Sequence, residues 1–275
     1  MNRNIAILIL TLPLGSLHSF NDFPEINQRE IAGVEDRCGT IALGSTLLWL
    51  GKNDFPELLS TKDPILNCPF SQTDLEATEI ATLSNLNHQL GGTKEIQLYQ
   101  LIQGLVRYFH SEETEALSLN LYYYNLPEED LLKRLVDHRK AVILFHGVYK
   151  EDPQTKQLER AYGHYSCLTG LSDDRLVANT YGKNYTFTLD PLPMRKLSPK
   201  SRYQPTSIQS YIYLKCNPED FPRYRFTSFA ANNKEFTQLQ RNEAGQLFAY
   251  PDETILLEGA LVIDISRDGS SENSR

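Results

Sequence analysis

The chain has 275 residues, of which 40% are hydrophobic and 23% are charged, and its formal net charge is -8. This composition is ordinary for a globular protein and suffices for one large domain, or for one domain with an appendage. Because the acidic chain has no long basic run, nucleic acid and anionic membrane surfaces are not expected as partners.

The amino terminus has the features of a secretory signal peptide. A positive charge at Arg3 precedes a short apolar run over residues 5–14, and the small residues Gly15 and Ser16 follow it. The run is too short to span a bilayer comfortably, and the alternative interpretation is a buried first element of the mature domain. We expect residues 1–19 to be removed, which would leave a soluble protein, secreted or periplasmic, without a membrane partner.

Helical periodicity dominates the chain as far as residue 139. An apolar helix is predicted from Cys38 to Leu50; Gly51 ends it, and a loop with three prolines follows. Further helices are predicted over residues 72–90, 96–109 and 127–139, with a strand over 116–124 between the last two.

The periodicity then changes to that of strands. Strands are predicted at residues 141–145, 162–171, 175–179, 185–189 and 207–215, with more between 225 and 265. Helices followed by an antiparallel sheet define an α+β fold. After the signal peptide, we expect a main domain over 20–215, a β-rich C-terminal extension of it over 216–265, and a disordered tail over 266–275.

Cys38 opens the first helix, in the segment Asp36-Arg37-Cys38-Gly39-Thr40. A thiolate is a far better nucleophile than a thiol, and the unpaired N–H groups and dipole of a helix amino terminus favour the anion. Cys38 is therefore the candidate nucleophile. Cys167 is the alternative, although it lies in the middle of a predicted strand without this activation.

His164 and Asn179 lie on two consecutive predicted strands. An imidazole beside the thiol lowers the thiol pKa and later protonates the leaving amine. The side-chain oxygen of Asn179 suits acceptance of the ring N–H, and pairing of the two strands around residues 172–174 would make the two side chains neighbours. His146 and Asp190 are the alternatives for the base and the orienting group.

Export also bears on the remaining cysteines, because disulfides persist in oxidising compartments. If Cys38 stays free, the pairing to test first is Cys68 with Cys216, since both lie outside the predicted site. No CxxC or HExxH pattern is present, so neither a metal site nor another cofactor is expected.

The order cysteine, histidine, asparagine is that of papain-type thiol catalysis. Five segments resemble the papain-fold cysteine peptidases related to the bacteriocin-processing (double-glycine leader) peptidases: residues 36–42, 48–51, 163–165, 169–170 and 179–182. Residues 91–93 and the helix after them resemble the secreted bacterial members. The resemblance covers residues 33–189. It implies a papain-like fold in which Cys38 is the nucleophile, His164 the base and Asn179 the orienting residue.

The oxyanion of such a reaction needs two hydrogen-bond donors. One is the backbone N–H of Cys38, and in papain-like folds the other is a side-chain amide upstream. Gln28 is the only glutamine before Cys38 and is the candidate, with Asn27 and Asn21 as alternatives.

Three positions depart from the family pattern. Thr40 stands where a proline usually follows Cys-Gly. Asn179 precedes Thr180 where an aspartate usually precedes a proline. Ala32 holds the usual position of the oxyanion glutamine, and Gln28 lies farther upstream.

The sequence thus predicts a secreted cysteine hydrolase that cleaves a peptide or other amide bond of a peptide or protein substrate through an acyl-thioester. The alternatives are transglutaminase-like acyl transfer by the same residues and a non-catalytic binding domain on a peptidase-like scaffold.

Overall fold

The computed structural model describes residues 20, 22–27, 31, 37–65, 69–72, 75–92, 96–112, 114, 117–193, 196–198, 224–229, 235–241 and 253–267. The predicted signal peptide, Gln28, the pair Cys68 and Cys216, and the predicted strand over 207–215 lie outside these residues.

The described chain contains four α-helices and eight β-strands. The helices are α1 (Cys38–Asn53), α2 (Ala77–Gln89), α3 (Leu98–Ser111) and α4 (Glu129–Asp137). The strands are β1 (Leu117–Asn125), β2 (Ala141–Glu151), β3 (Leu158–Ser172), β4 (Arg175–Thr180), β5 (Lys183–Pro193), β6 (Tyr224–Phe229), β7 (Glu235–Arg241) and β8 (Glu253–Arg267).

Helix α1 is the central helix of the molecule. Every residue from Gly39 to Gly51 is buried, which explains why its sequence is apolar on all sides. The next helix, α2, begins with a reciprocal capping box between Glu76 and Glu79. Helix α3 turns one apolar side inward, and Leu101, Ile102 and Leu105 are fully buried.

The strands form one sheet in the order β2-β3-β4-β5-β7-β8-β1-β6, and β8 also pairs with β2. The pairings from β2 through β5 and β7 to β8 therefore return to β2 and close a ring of six strands. All pairs described are antiparallel except β1 with β6, which is parallel. The α+β expectation is confirmed as a helical amino-terminal part and a mostly antiparallel sheet.

Strand β8 belongs to the region that the sequence separates as an extension. It pairs with β2 from Glu253 to Ile263 and with β1 from Gly259 to Arg267. Its last two residues, Ser266 and Arg267, were expected in the tail and instead pair with Ser118 and Leu117.

Two apolar cores lie on opposite faces of the sheet. Side chains alternate along β2, so Ile143 and Phe145 join the core beneath α1 and α3, whereas Val142 and Leu144 join the core beneath α4. Within the described residues, no helix combines the length and the hydropathy needed to cross a membrane.

Phe20, near the amino terminus, is fixed between α1 and β3. Phe20 stacks on Trp49 with ring centroids 4.3 Å apart, and its backbone N–H donates to the carbonyl of Thr169 at 2.7 Å. That carbonyl lies at a β-bulge of β3, between Leu168 and Gly170.

Candidate active site

The structure places Cys38 at the first residue of α1, partly exposed and outside any disulfide. The residue before it, Arg37, gives no side-chain cap to the helix, and its guanidinium instead donates to Asn87 Oδ1 at 2.5 Å. The first turn carries no acidic residue. This setting leaves the positive end of the helix dipole to favour a thiolate at Cys38.

The first turn of α1 is seated on β3 through Gly39. A β-carbon at Gly39 would lie 3.3 Å from Cδ2 of Tyr165, so only glycine fits there without displacing that ring. Tyr165 is itself fixed, because its hydroxyl donates to the carbonyl of Ile96 at 2.6 Å. One turn farther along α1, Cys167 donates its S–H to the carbonyl of Ala42 at 3.1 Å.

The imidazole of His164 is held on two sides and is only 5% exposed. Its Nε2 lies 2.5 Å from Oγ1 of Thr180, and its ring stacks on Tyr181 with centroids 4.8 Å apart. The hydrogen bond fixes the ring in its plane, and the stacked tyrosine covers one of its faces. These are the restraints that a catalytic imidazole requires.

Asn179 lies elsewhere in the hairpin than the sequence suggests. Its backbone is paired with Cys167 rather than with His164, and its amide donates to Asn184 Oδ1 at 3.1 Å. The bulge between Leu168 and Gly170 shifts the register of β3 against β4. The neighbour of His164 is therefore the next residue, Thr180.

Side-chain alternation sets a condition on the pair Cys38 and His164. Tyr165 and Cys167 project toward α1, so His164 leaves β3 on the other side, where Tyr181 and Thr180 contact it. A catalytic pair would therefore require the thiol and the imidazole to meet at the end of the sheet, beyond the first turn of α1.

The described segment 25–27, which precedes Cys38 in the chain, lies at the turn that follows β4. The turn after β4 contains Gly182, where a β-carbon would lie 3.0 Å from the backbone nitrogen of Asn27 and 3.1 Å from the carbonyl oxygen of Glu25. The segment 25–27 thus touches the turn that carries Tyr181. Of the oxyanion candidates, Asn27 lies in this segment, and Gln28 and Asn21 are outside the described residues.

The alternative nucleophile and base are both unsuited by burial. Burial raises the pKa of the Cys167 thiol to about 12, so it stays protonated at neutral pH. Burial lowers the pKa of His146 to about 3, and its Nε2 lies 2.5 Å from the hydroxyl of Ser166. Asp190, the alternative orienting group, pairs with Gln238 on β7.

Thr180 and Tyr181 are the site residues that sequence reasoning missed. A glycine inside a strand often marks a bulge, and Gly170 follows Thr169 in the middle of β3. Counting pairs from the two-residue turn at Asp173 and Asp174 through that bulge leads to the observed register.

No family model matches the chain, and no curated protein matches it either. The assignment of function therefore depends on the chemistry of these residues.

Proposed function

We propose that the protein is a secreted, papain-like cysteine hydrolase that cleaves peptide or other amide bonds in a peptide or protein substrate, with Cys38 as nucleophile and His164 as base. The observation that carries the proposal is the fixed imidazole. The imidazole is hydrogen-bonded to Thr180 and stacked on Tyr181. The next residue of the same strand, Tyr165, packs against the first turn of α1, the helix that begins at Cys38.

The proposed reaction has two stages, formation of a thioester and its hydrolysis. The Cys38 thiolate attacks the substrate carbonyl carbon, and the oxyanion that forms accepts hydrogen bonds from the Cys38 backbone N–H and, in this proposal, from the Gln28 side chain. Protonated His164 gives its proton to the leaving amine as the C–N bond breaks, which leaves a thioester. Neutral His164 then removes a proton from water, which attacks the thioester and releases the acid and the thiolate.

The residue that orients His164 differs from the one that the sequence predicts. Asn179 was the expected orienting residue, and its amide is bonded to Asn184. The Thr180 hydroxyl meets the imidazole directly. A neutral hydroxyl, like a carboxamide, orients the ring without adding a charge that competes with the thiolate–imidazolium pair.

The test is the pH dependence of Cys38 alkylation by iodoacetamide, read peptide by peptide by mass spectrometry. An ordinary thiol has a pKa of about 8.5, so we expect Cys38 at pH 6 to react at least about tenfold faster than such a thiol. His164→Gln should move the labelling profile toward higher pH. Cys167, which is buried, is the internal control and should stay unlabelled in the folded protein.

Labelling of Cys38 that requires pH 8 or more would contradict the proposal and favour a non-catalytic binding domain. Where labelling does occur near pH 6, a primary amine added with a peptide substrate distinguishes hydrolysis from acyl transfer. A hydrolase gives the free acid, and a transferase gives the amide of the added amine.

A further inference from the structure

A partly buried ion pair lies on the face of the sheet that packs against α1. Arg160 of β3 donates from Nε to Glu258 Oε1 at 2.6 Å and from Nη2 to Oε2 at 3.0 Å. Tyr149 of β2 adds a third hydrogen bond, from its hydroxyl to Oε1 at 2.8 Å. Three donors thus hold one carboxylate, and the two-point fork fixes the plane of the guanidinium.

Two glycines make room for this ion pair. Gly147 and Gly163 are directly paired across β2 and β3. A β-carbon at Gly147 would collide with the Glu258 carboxylate, and one at Gly163 would collide with Nη2 of Arg160. The ion pair therefore lies flat on the backbone of both strands, in a position that a side chain at either residue would close.

The backbone around Glu258 is adapted as well. Phe145 pairs with Gly259 and His146 pairs with Leu257, so Glu258 is the extra residue of a bulge between β2 and β8. Burying a carboxylate carries a large desolvation cost, and glycines weaken strands. Bulges often redirect a side chain next to a functional site. A bulge, two glycines and a buried charge in one place favour a role beyond packing.

The ion pair lies on the strand that packs against the helix start of the candidate nucleophile. Gly163 and Tyr165 are two residues apart on β3 and share a face, a separation of roughly 7 Å. The ring of Tyr165 contacts the α-carbon region of Gly39, the residue after Cys38. Going outward from the start of α1, the sheet thus presents first Tyr165 and then the guanidinium over Gly163.

The two charges are unequally accessible. The Arg160 side chain is 38% exposed, and the Glu258 side chain is 5% exposed. The cation is therefore the more accessible member of the pair. A guanidinium edge held in a fixed plane is suited to a carboxylate.

We propose that Arg160, fixed by Glu258 and Tyr149, is a specificity-determining residue that binds an acidic side chain of the substrate near the scissile bond. The proposal rests on the proposed function, because it takes Cys38 as the point of attack. It assigns the substrate class as peptides with Asp or Glu close to the cleaved bond.

The test uses paired peptidyl acyloxymethyl ketones that carry Glu or its neutral isostere Gln at each of the three positions before the ketone. The measured quantity is the ratio of the second-order rate constants for Cys38 modification by the Glu and Gln probes. A charge-assisted hydrogen bond predicts a ratio of about ten or more at one position. Raising the salt concentration should lower that ratio.

Three variants distinguish recognition from a general effect. Arg160→Met should bring the ratio close to one, and Arg160→Lys, which keeps the charge but loses the fork, should give an intermediate ratio. Arg107→Met, at an exposed position of α3, should leave the ratio unchanged. Circular dichroism shows whether Arg160→Met folds. If it does not fold, the proposal is still tested by the ratio in the wild type, by the salt dependence of that ratio and by the ratio in Arg160→Lys.

A ratio near one at all three positions in the wild type, or a preference that survives Arg160→Met, would overturn the proposal. These outcomes test the role of Arg160 separately from the proposed function, because the proposed function is tested by iodoacetamide labelling of Cys38 at pH 6. If Cys38 is not activated, calorimetric binding of the matching Glu and Gln peptides to Cys38→Ala decides the anion preference alone. Equal affinities there would refute it.

Discussion

The hydroxyl of Thr180 is the smallest group that can orient the imidazole of His164. A carboxylate or a carboxamide oxygen accepts a hydrogen bond, whereas a hydroxyl both donates and accepts, so it can bind Nε2 in either tautomer of the ring. Tyr181 also restrains the imidazole, because its ring stacks on that of His164 at an interplanar angle of 29°. Orientation is therefore shared between a polar and an aromatic neighbour.

Substitution at Thr180 should separate its role from that of Asn179. Thr180→Val keeps the shape and removes the hydroxyl, so kcat/KM should fall by about 10- to 100-fold, as expected for a lost orienting hydrogen bond. Thr180→Ser should retain most of the activity. If Asn179→Ala causes the larger loss, the assignment made from sequence is correct and the one made from the hydrogen bond is not.

Burial of His146 predicts a stability that falls in acid. Its pKa is about 3 in the folded protein and 6.5 in the unfolded chain, so between these values the unfolded chain binds the extra proton. Stability from this residue is present above pH 6.5 and decreases by up to about 1.4 kcal/mol for each pH unit below it. Urea unfolding at pH 7 and pH 5 measures the slope.

His146→Gln is the matched control, because glutamine keeps a polar contact for Ser166 and does not titrate in this range. The variant should lose much of the dependence between pH 7 and pH 5. His164 faces His146 directly across β2 and β3, so a dependence that remains in this variant is assigned by repeating the measurement with His164→Gln.

At the scale of the secondary-structure elements, the contact between α1 and β3 positions the site. A β-carbon at Gly39 would lie 3.4 Å from Leu101 Cδ1, in addition to its contact with Tyr165. The first turn of α1 therefore has no space for a branched side chain at this position. Gly39→Val should destabilise the protein by about 1–3 kcal/mol through overpacking and should slow Cys38 labelling at pH 6.

Gly39→Ala is the graded comparison for that experiment. Its single methyl meets Tyr165 at 3.3 Å, and the gain in helix propensity offsets part of the strain. We expect a stability change smaller than that of Gly39→Val, measured by thermal unfolding. Equal effects of the two variants would show that Tyr165 moves aside.

The extents of the elements show what periodicity can predict. Helix α1 and strands β1, β2, β3 and β4 all lie where the hydrophobic pattern predicts them. The predicted β2 ended at Phe145, because His146 and Gly147 interrupt the apolar run, whereas pairing with both neighbours extends the strand to Glu151. The hydrophobic pattern did not predict the register in which β3 pairs with β4. The bulge beside Gly170 depends on tertiary packing. Because of it, the hydrogen-bond partner of His164 is Thr180 and not the expected Asn179.

For the molecule as a whole, strand β8 closes the sheet, because it pairs with β1, β2 and β7. It contributes Leu257, Leu261 and Ile263, which are almost wholly buried, to cores on both faces of the sheet. A chain that ends at residue 215 lacks this strand and should show no cooperative unfolding by circular dichroism, because β2 and β1 lose their shared partner. A chain that ends at residue 267 should unfold cooperatively.

These two truncations also test the expected boundary after residue 215. Cooperative unfolding of the shorter chain would show that the main domain folds alone and that β8 is an accessory strand. That boundary follows from the local strand pattern, which cannot reveal that distant segments pair in the middle of a sheet.

The stacking of Phe20 on Trp49 has a practical outcome for anyone producing the protein. A recombinant version trimmed beyond position 20 would remove the ring that stacks on the indole, against which Phe23 also packs, and would leave the carbonyl of Thr169 to recruit water at the bulge beside Gly170. Affinity tags consequently belong at the carboxyl end, and trimming at the front should stop short of that phenylalanine.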